Sequence, residues 1–315
     1  GIYNAWISFD DLALANQLSF YLLIFILGLF ILENLSRKKA QYHSPSKGGF
    51  KKKSLTTLYG LKAWLAFSFC FLVFFISFLF PVLQMLYWTV IFPKHLADLN
   101  LFELFSNTII LVSLSSIVLI GFAFISNYGN RLSRSKFLEI LTTFSISGYA
   151  IPGIILAVAF ITFISWFDNN IINLFEIRNI KSIFIGSILG LVIVYFIRFY
   201  SLASNGIKSG YLKINYSIDE SAYLLGYSKF KTFKNIHIPY LKNSIMLIGI
   251  LIGIEIIKEL PITLIMRPFN FETFATQAYI FASQDLLEAA AAPSLFLILT
   301  ASFFILITSR YTLKD

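Results

Sequence analysis

The densest chemistry in the sequence lies between Asn215 and Lys242, which reads NYSIDESAYLLGYSKFKTFKNIHIPYLK. Ser217 and Glu220 have the spacing of a capping box, and Asp219 and Glu220 fall where the positive end of a helix dipole favours carboxylates. Ala222, Leu224 and Leu225 follow as apolar surface, and Gly226 suits the left-handed residue that ends a helix. Ser228 can cap a second helix. Phe230, Phe233 and Ile236 recur at spacings of three, which predicts one shared face. Lys229, Lys231 and Lys234 stay toward water or lipid headgroups, and Pro239 is expected to end the second helix. The segment therefore predicts a helix-turn-helix knob. Its apolar face has three possible covers: its own membrane domain, the headgroup layer or a partner protein.

A second set sits inside apolar sequence. Glu255, Lys258 and Glu259 would each cost about 2.5–3.5 kcal/mol in a bilayer, which marks such residues for function by default. Their offsets of three and four predict one helix face. They read either as part of a translocation path or gate, or as a structural ion pair. Pro152 and Pro261 each interrupt a long apolar block. Proline removes a backbone hydrogen bond and kinks the helix, which suits a hinge, a cavity lining or local packing. His43, His95 and His237 are scattered, with no metal-ligand spacing. Gly48-Gly49-Phe50-Lys51 is the nearest approach to a phosphate loop, and its spacing is wrong. No metal, no cofactor and no ATP hydrolysis are expected of this chain.

The elements that position these residues are membrane helices. Of the 315 residues 57% are hydrophobic and 13% charged, against about a quarter charged in soluble chains. The apolar residues fall into seven blocks: Leu18 to Leu32, Ala63 to Val90, Asn107 to Ser126, Ile140 to Phe167, Ser182 to Ser204, Ser244 to Ile265 and Pro293 to Ser309. Each is near the length of about 20 residues that a spanning helix needs. Continuous blocks exclude a barrel, whose strands would alternate. Most of the 25 basic residues lie in alternate loops: Arg37 to Lys62, then Arg131, Arg134 and Lys136, then Lys208 to Lys242, then Arg310 and Lys314. By the positive-inside rule those loops are cytoplasmic, with the N-terminus outside. The net charge of +9 is thereby explained by topology and not by nucleic acid. Cys70 is the only cysteine and can form no intrachain disulfide.

Residues 36–61 form a basic, polar linker broken by Pro45, Gly48 and Gly49. Asp11-Leu12, Leu23-Ile24 and Phe30-Ile31-Leu32 recur at one offset as Asp285-Leu286, Leu297-Ile298 and Phe304-Ile305-Leu306. The expected organisation is residues 1–35 as the last helix of a preceding module, 36–61 as a cytoplasmic linker and 62–315 as a six-helix module. Two unrelated helices of common composition would also give such matches.

Glu220-Ser221-Ala222, then Gly226, then Ile236-His237-Ile238-Pro239 resemble the EAA loop of the membrane subunits of binding-protein-dependent ABC importers. Ser221 stands where the family has alanine and Ile238 where it has leucine. The spacing is intact. Lys258 to Leu264, Arg267 to Phe271, Thr273 to Thr276 and Gly148 to Gly153 are similar to the Fe(III) importer permeases. The resemblance implies an all-α polytopic bundle of the type I importer kind, about seven transmembrane helices with a cytoplasmic helix-turn-helix coupling loop. It implies that Glu220, Ser221, Ala222, Gly226, Ile236, Ile238 and Pro239 dock on a cytoplasmic ABC ATPase dimer, which holds ATP and Mg²⁺. It implies an external substrate-binding protein and an N-terminal permease module as further partners, in a bacterial inner membrane. A same-class permease for thiamine, polyamine or an oxyanion is the nearest alternative. An ion-coupled secondary transporter would need a coupling-ion site and no ATPase dock. An intramembrane enzyme would need convergent catalytic groups, and none is found.

Overall fold

The computed structural model describes residues 1–7, 9, 11–39, 57–133, 136–174 and 184–312. Most of the basic linker, Arg134, Arg178, Lys181 and Lys314 lie outside them. Fifteen α-helices are present among the described residues, with no strand. They are α1 (Ile2–Ile7), α2 (Leu12–Lys39), α3 (Leu61–Phe74), α4 (Phe80–Ile91), α5 (Pro93–Ala97), α6 (Leu101–Ser133), α7 (Lys136–Ile146) and α8 (Gly153–Leu174). Then come α9 (Ile188–Tyr211), α10 (Tyr216–Leu224), α11 (Lys229–Thr232), α12 (Ile238–Ile257), α13 (Pro261–Met266), α14 (Phe274–Ser283) and α15 (Leu287–Thr312). Seven helical runs are long and apolar enough to cross a membrane, in the order the apolar blocks predict. Several helices overrun their blocks, α2, α6 and α15 at both ends, because polar residues of the interface extend a helix at little cost. α9 instead starts at Ile188, inside its block.

Two prolines share one local device. A π turn at Phe75–Leu79 joins α3 to α4 just before Pro81, and another at Phe233–His237 joins α11 to α12 just before Pro239. Proline has no N–H and its ring clashes with the carbonyl four residues back. A widened π turn moves that carbonyl away, so the helix continues. Pro239 therefore does not end the second helix of the knob, contrary to expectation. Lys229–Ile257 is one continuous run. The π turn also shifts the register of the expected apolar face. Phe233 packs on Phe124 and Tyr128, whereas Phe230 is 72% exposed.

The core is built on α9, which buries Leu191, Val194, Tyr195, Phe199, Ala203 and Ile207. It packs between α6 and α12. α15 closes over α12, α14 and α4. α3 and α4 bury no residue at all. α2 lies against α8, with Asn16 Nδ2 donating to Thr162 Oγ1 at 3.0 Å, and Tyr3 of α1 meets Tyr279 of α14 edge-on.

Two spans are broken. The fourth is split into α7, a 3₁₀ turn at Ser147–Ala150 and α8, which starts beyond Pro152. The sixth stops at Ile257 and resumes as α13 at Pro261.

Candidate functional site

The knob consists of α10, a tight turn and α11. Its first helix starts earlier than expected. Asn215 is the N-cap, its side chain accepting from Ser217 N, and Ser217 lies inside the helix. The capping box of Ser217 and Glu220 is therefore not formed. Ser217 Oγ is free to leave the cap because Asn215, with its extended backbone, takes that place first. Ser221 Oγ instead donates to Ser217 O, and Glu220 is exposed.

The turn forms as its residues predict. Gly226 has φ 78°. Tyr227 N bonds Ala222 O and Gly226 N bonds Tyr223 O, both at 3.0 Å, the paired bonds of a Schellman ending. Ser228 then caps α11, accepting from Lys231 N. The result is a projecting tip with Leu224 88% and Leu225 78% exposed. Tyr216, Tyr223, Phe230 and Ile238 are also exposed, and Pro239 lies at the surface. Ala222 and the half-buried Ile236 face inward.

A charged cluster that the sequence did not disclose lies beneath the knob. Asp219 is buried, with Oδ2 2.7 Å from Arg131 Nε and Oδ1 2.8 Å from His237 Nε2. A carboxylate only accepts, so Nε2 carries the hydrogen. Arg131 also donates to Ile214 O and Asn215 O at 3.0 Å each, and its guanidinium lies 4.2 Å from the centre of the Tyr216 ring. Arg131 reads in sequence as a topological charge and His237 as an isolated histidine. No periodicity joins them, because they come from three different elements.

The second site joins the two broken spans. Glu255, Lys258 and Glu259 do not share a face, because α12 ends between them. Lys258 Nζ pairs with Glu255 Oε1 at 2.7 Å, with their side chains 55% and 24% exposed. Glu259 turns the other way and is buried against Arg198, a charge within the fifth span. Arg198 Nε lies 3.3 Å from Glu259 Oε2, in ion-pair range, and Arg198 NH1 donates to Ile151 O at 2.9 Å.

Each member of this pair serves one break. A broken span leaves backbone groups that lipid cannot satisfy. Arg198 covers the Ile151 carbonyl just before Pro152. Glu259 Oε1 accepts from Ile262 N, at 3.4 Å, in the first turn of α13. Thr263 Oγ1 bonds Glu259 O, and the Tyr195 hydroxyl bonds Thr263. Gly148 and Gly153 let the helical segments of this crossing approach. A Cβ at Gly148 would lie 2.2 Å from Ile197 O, and one at Gly153 2.6 Å from Glu259 Oε1. Pro152, Pro261 and Glu259 are thus brought together, while Glu255 and Lys258 lie apart. Lys258 instead lines a mainly apolar cleft of about 400 Å³ with Trp88, Tyr279 and Leu297.

Among the described residues no group of His, Cys, Asp and Glu could hold a metal ion.

No family model matches the chain. Over 280 residues it is 22% identical to the Fe(3+)-transport system permease protein FbpB 2 of Haemophilus influenzae, covering 88% of this chain and 53% of that protein. The chain therefore spans about half the length of the curated relative it matches. The fold resembles two solved structures. One is a bacterial alginate ABC transporter in complex with alginate pentasaccharide-bound periplasmic protein, at TM-score 0.62 and 15% identity over 78% of this chain and 92% of that one. The other is a bacterial ABC transporter involved in the import of the acidic polysaccharide alginate, at TM-score 0.60 and 17% identity over 80% and 96%. The chain has the fold of an ABC importer permease. Within that fold the knob projects from the bundle, and the paired breaks lie where α8, α9, α12 and α13 meet.

Proposed function

We propose that this chain is a membrane-spanning permease subunit of an ATP-driven, binding-protein-dependent importer, with ferric iron as its cargo. The observation that carries this is the knob. A Schellman turn holds an apolar tip away from the membrane core, and an exposed apolar tip of this kind calls for a partner surface. That partner is a cytoplasmic ATPase dimer, which binds ATP and Mg²⁺. Residues 1–35 end a preceding permease module, residues 36–61 link it on the cytoplasmic side, and the six-helix module 62–315 supplies half of the pathway. An external binding protein delivers the cargo. Alternating access works through the paired breaks at Pro152 and Pro261, which give two spans a joint in the same place.

Ferric iron is supported by the relative whose name carries it. The solved neighbours are named for alginate, so the fold by itself selects no cargo. The test is uptake into proteoliposomes containing the full permease, its ATPase and the binding protein that co-purifies with it. Ferric iron on that binding protein is expected to enter only with ATP inside. Entry of thiamine, a polyamine or an oxyanion in its place would overturn the cargo. Entry without ATP, driven by an ion gradient, would overturn the class.

Orientation is tested separately. The knob carries Lys229, Lys231 and Lys234, so it belongs on the cytoplasmic side. After Cys70→Ser, a cysteine at Lys231 should resist an impermeant thiol reagent added outside intact cells. One at the exposed Asp98 should react. The reverse pattern would invert the topology.

A further inference from the structure

α10 is held by a few contacts: Ile218 packs on the core, the Tyr216 ring lies against Arg131, and Tyr223 meets Tyr128. Only Asp219 and Ala222 of its residues are buried. Asp219 is the buried charged tie of the helix, and both its oxygens are engaged, one by Arg131 at the end of α6 and one by His237 in the π turn that opens α12. Arg131 also grips the carbonyls of Ile214 and Asn215, which lead α9 into α10. The His237 ring packs between Tyr128 of α6 and Tyr211 of α9. Charge-assisted bonds to both oxygens fix a carboxylate in direction as well as position. The exposed tip at Leu224 and Leu225 lies at the far end of the same short helix.

We propose that Arg131, Asp219 and His237 are positioning residues that pass displacement of the knob into α6 and α12. The proposal rests on the docking role given to the knob above. From His237 the helix runs unbroken to Ile257 and ends at the Glu259–Arg198 crossing. A stroke delivered at Asp219 therefore reaches the paired breaks along one rigid element. The α11 end of the knob is already continuous with α12. Without the tie, α10 would keep its Ile218, Ala222 and Tyr223 contacts and its turn into α11, and its movement would reach α6 and α12 less directly.

The test uses the full permease with its ATPase and binding protein in proteoliposomes, with ferric iron on the binding protein as the probe. Uptake, ATP hydrolysis and retention of the ATPase are measured together. Asp219→Asn keeps the shape and removes the charge. Uptake is expected to fall about tenfold, within the usual range of coupling between sites. The ATPase should stay bound and hydrolyse at close to the wild-type rate, so that more ATP is consumed per iron moved. Asp219→Glu, which restores the charge, should bring that ratio back toward wild type. An unchanged ratio in Asp219→Asn would overturn the proposal. So would a joint fall of uptake, hydrolysis and ATPase retention, the signature of a mere structural prop. Gly226→Val in the same membranes separates the two levels. If it neither releases the ATPase nor stops uptake, the docking role fails and the tie with it. If it does both while Asp219→Asn stays coupled, only the tie fails.

Discussion

Gly226→Val in the full permease is expected to cut uptake by an order of magnitude or more and release the ATPase, with membrane insertion near normal. Gly226 sits at φ 78°, where a residue with a Cβ pays about 1–2 kcal/mol and a β-branched one has the least freedom to adapt. Among the described residues, apart from its chain neighbours, nothing lies within 4 Å of a Cβ built there. The substitution therefore clashes with no internal neighbour. It strains the turn and puts a side chain into the space a docking partner would occupy. Glu220→Lys should act on the same contact by charge alone, because Glu220 is exposed and caps nothing. Gly226→Asn is the control, since asparagine tolerates the left-handed region, and should retain more uptake than the valine. Normal uptake and a retained ATPase in both Gly226→Val and Glu220→Lys would remove the coupling role of Glu220 to Pro239.

The second large effect belongs to the crossing of the broken spans. Removing one partner of a buried ion pair leaves an uncompensated charge and costs about 3–5 kcal/mol. Glu259→Leu or Arg198→Met alone should therefore lower folded yield and thermal stability in detergent sharply. Made together, they should recover most of the loss. A remainder of about 2 kcal/mol is expected, because the Ile151 carbonyl loses its donor and the Ile262 N–H its acceptor. Lys258→Ala should do little, since Lys258 is more than half exposed and its pair with Glu255 is open to solvent. Equal damage from Glu259→Leu and Lys258→Ala would show that burial does not set the difference. A double variant as stable as wild type but inactive in uptake would place the pair in the transport step itself.

Long-range and short-range features differed in how well the sequence disclosed them. The seven spans were legible because each is a continuous apolar block that only a helix can carry through lipid. Gly226 and Ser228 were legible because a left-handed turn and a helix cap are decided within a few residues. The start of α10 was misplaced because Asn215 and Ser217 are both competent caps, and which one acts depends on where α9 releases the chain. The common face of Glu255, Lys258 and Glu259 assumed an unbroken helix. Pro261 was the sign against it, and the helix stops at Ile257. Arg198 was visible as a charge within an apolar block, the signal that marks an intramembrane partner. That Glu259 is its partner, and that Asp219 joins Arg131 to His237, depends on packing between elements remote in sequence.

The π turn before Pro239 has a consequence for insertions and deletions. In a helix each residue is about 100° of rotation and about 1.5 Å of rise. The π turn has already absorbed one extra residue between the knob and the span. Losing or gaining one residue anywhere from Gly226 to Pro239 would therefore do more than lengthen or shorten a loop. It would turn the exposed tip by about a quarter-circle relative to α12, carry Asp219 away from His237 and point Leu224 and Leu225 somewhere else. The count of residues between that glycine and that proline is in this sense an angle, set once for the whole assembly. A substitution such as Ser221→Ala would leave that angle untouched, whereas a one-residue deletion would not.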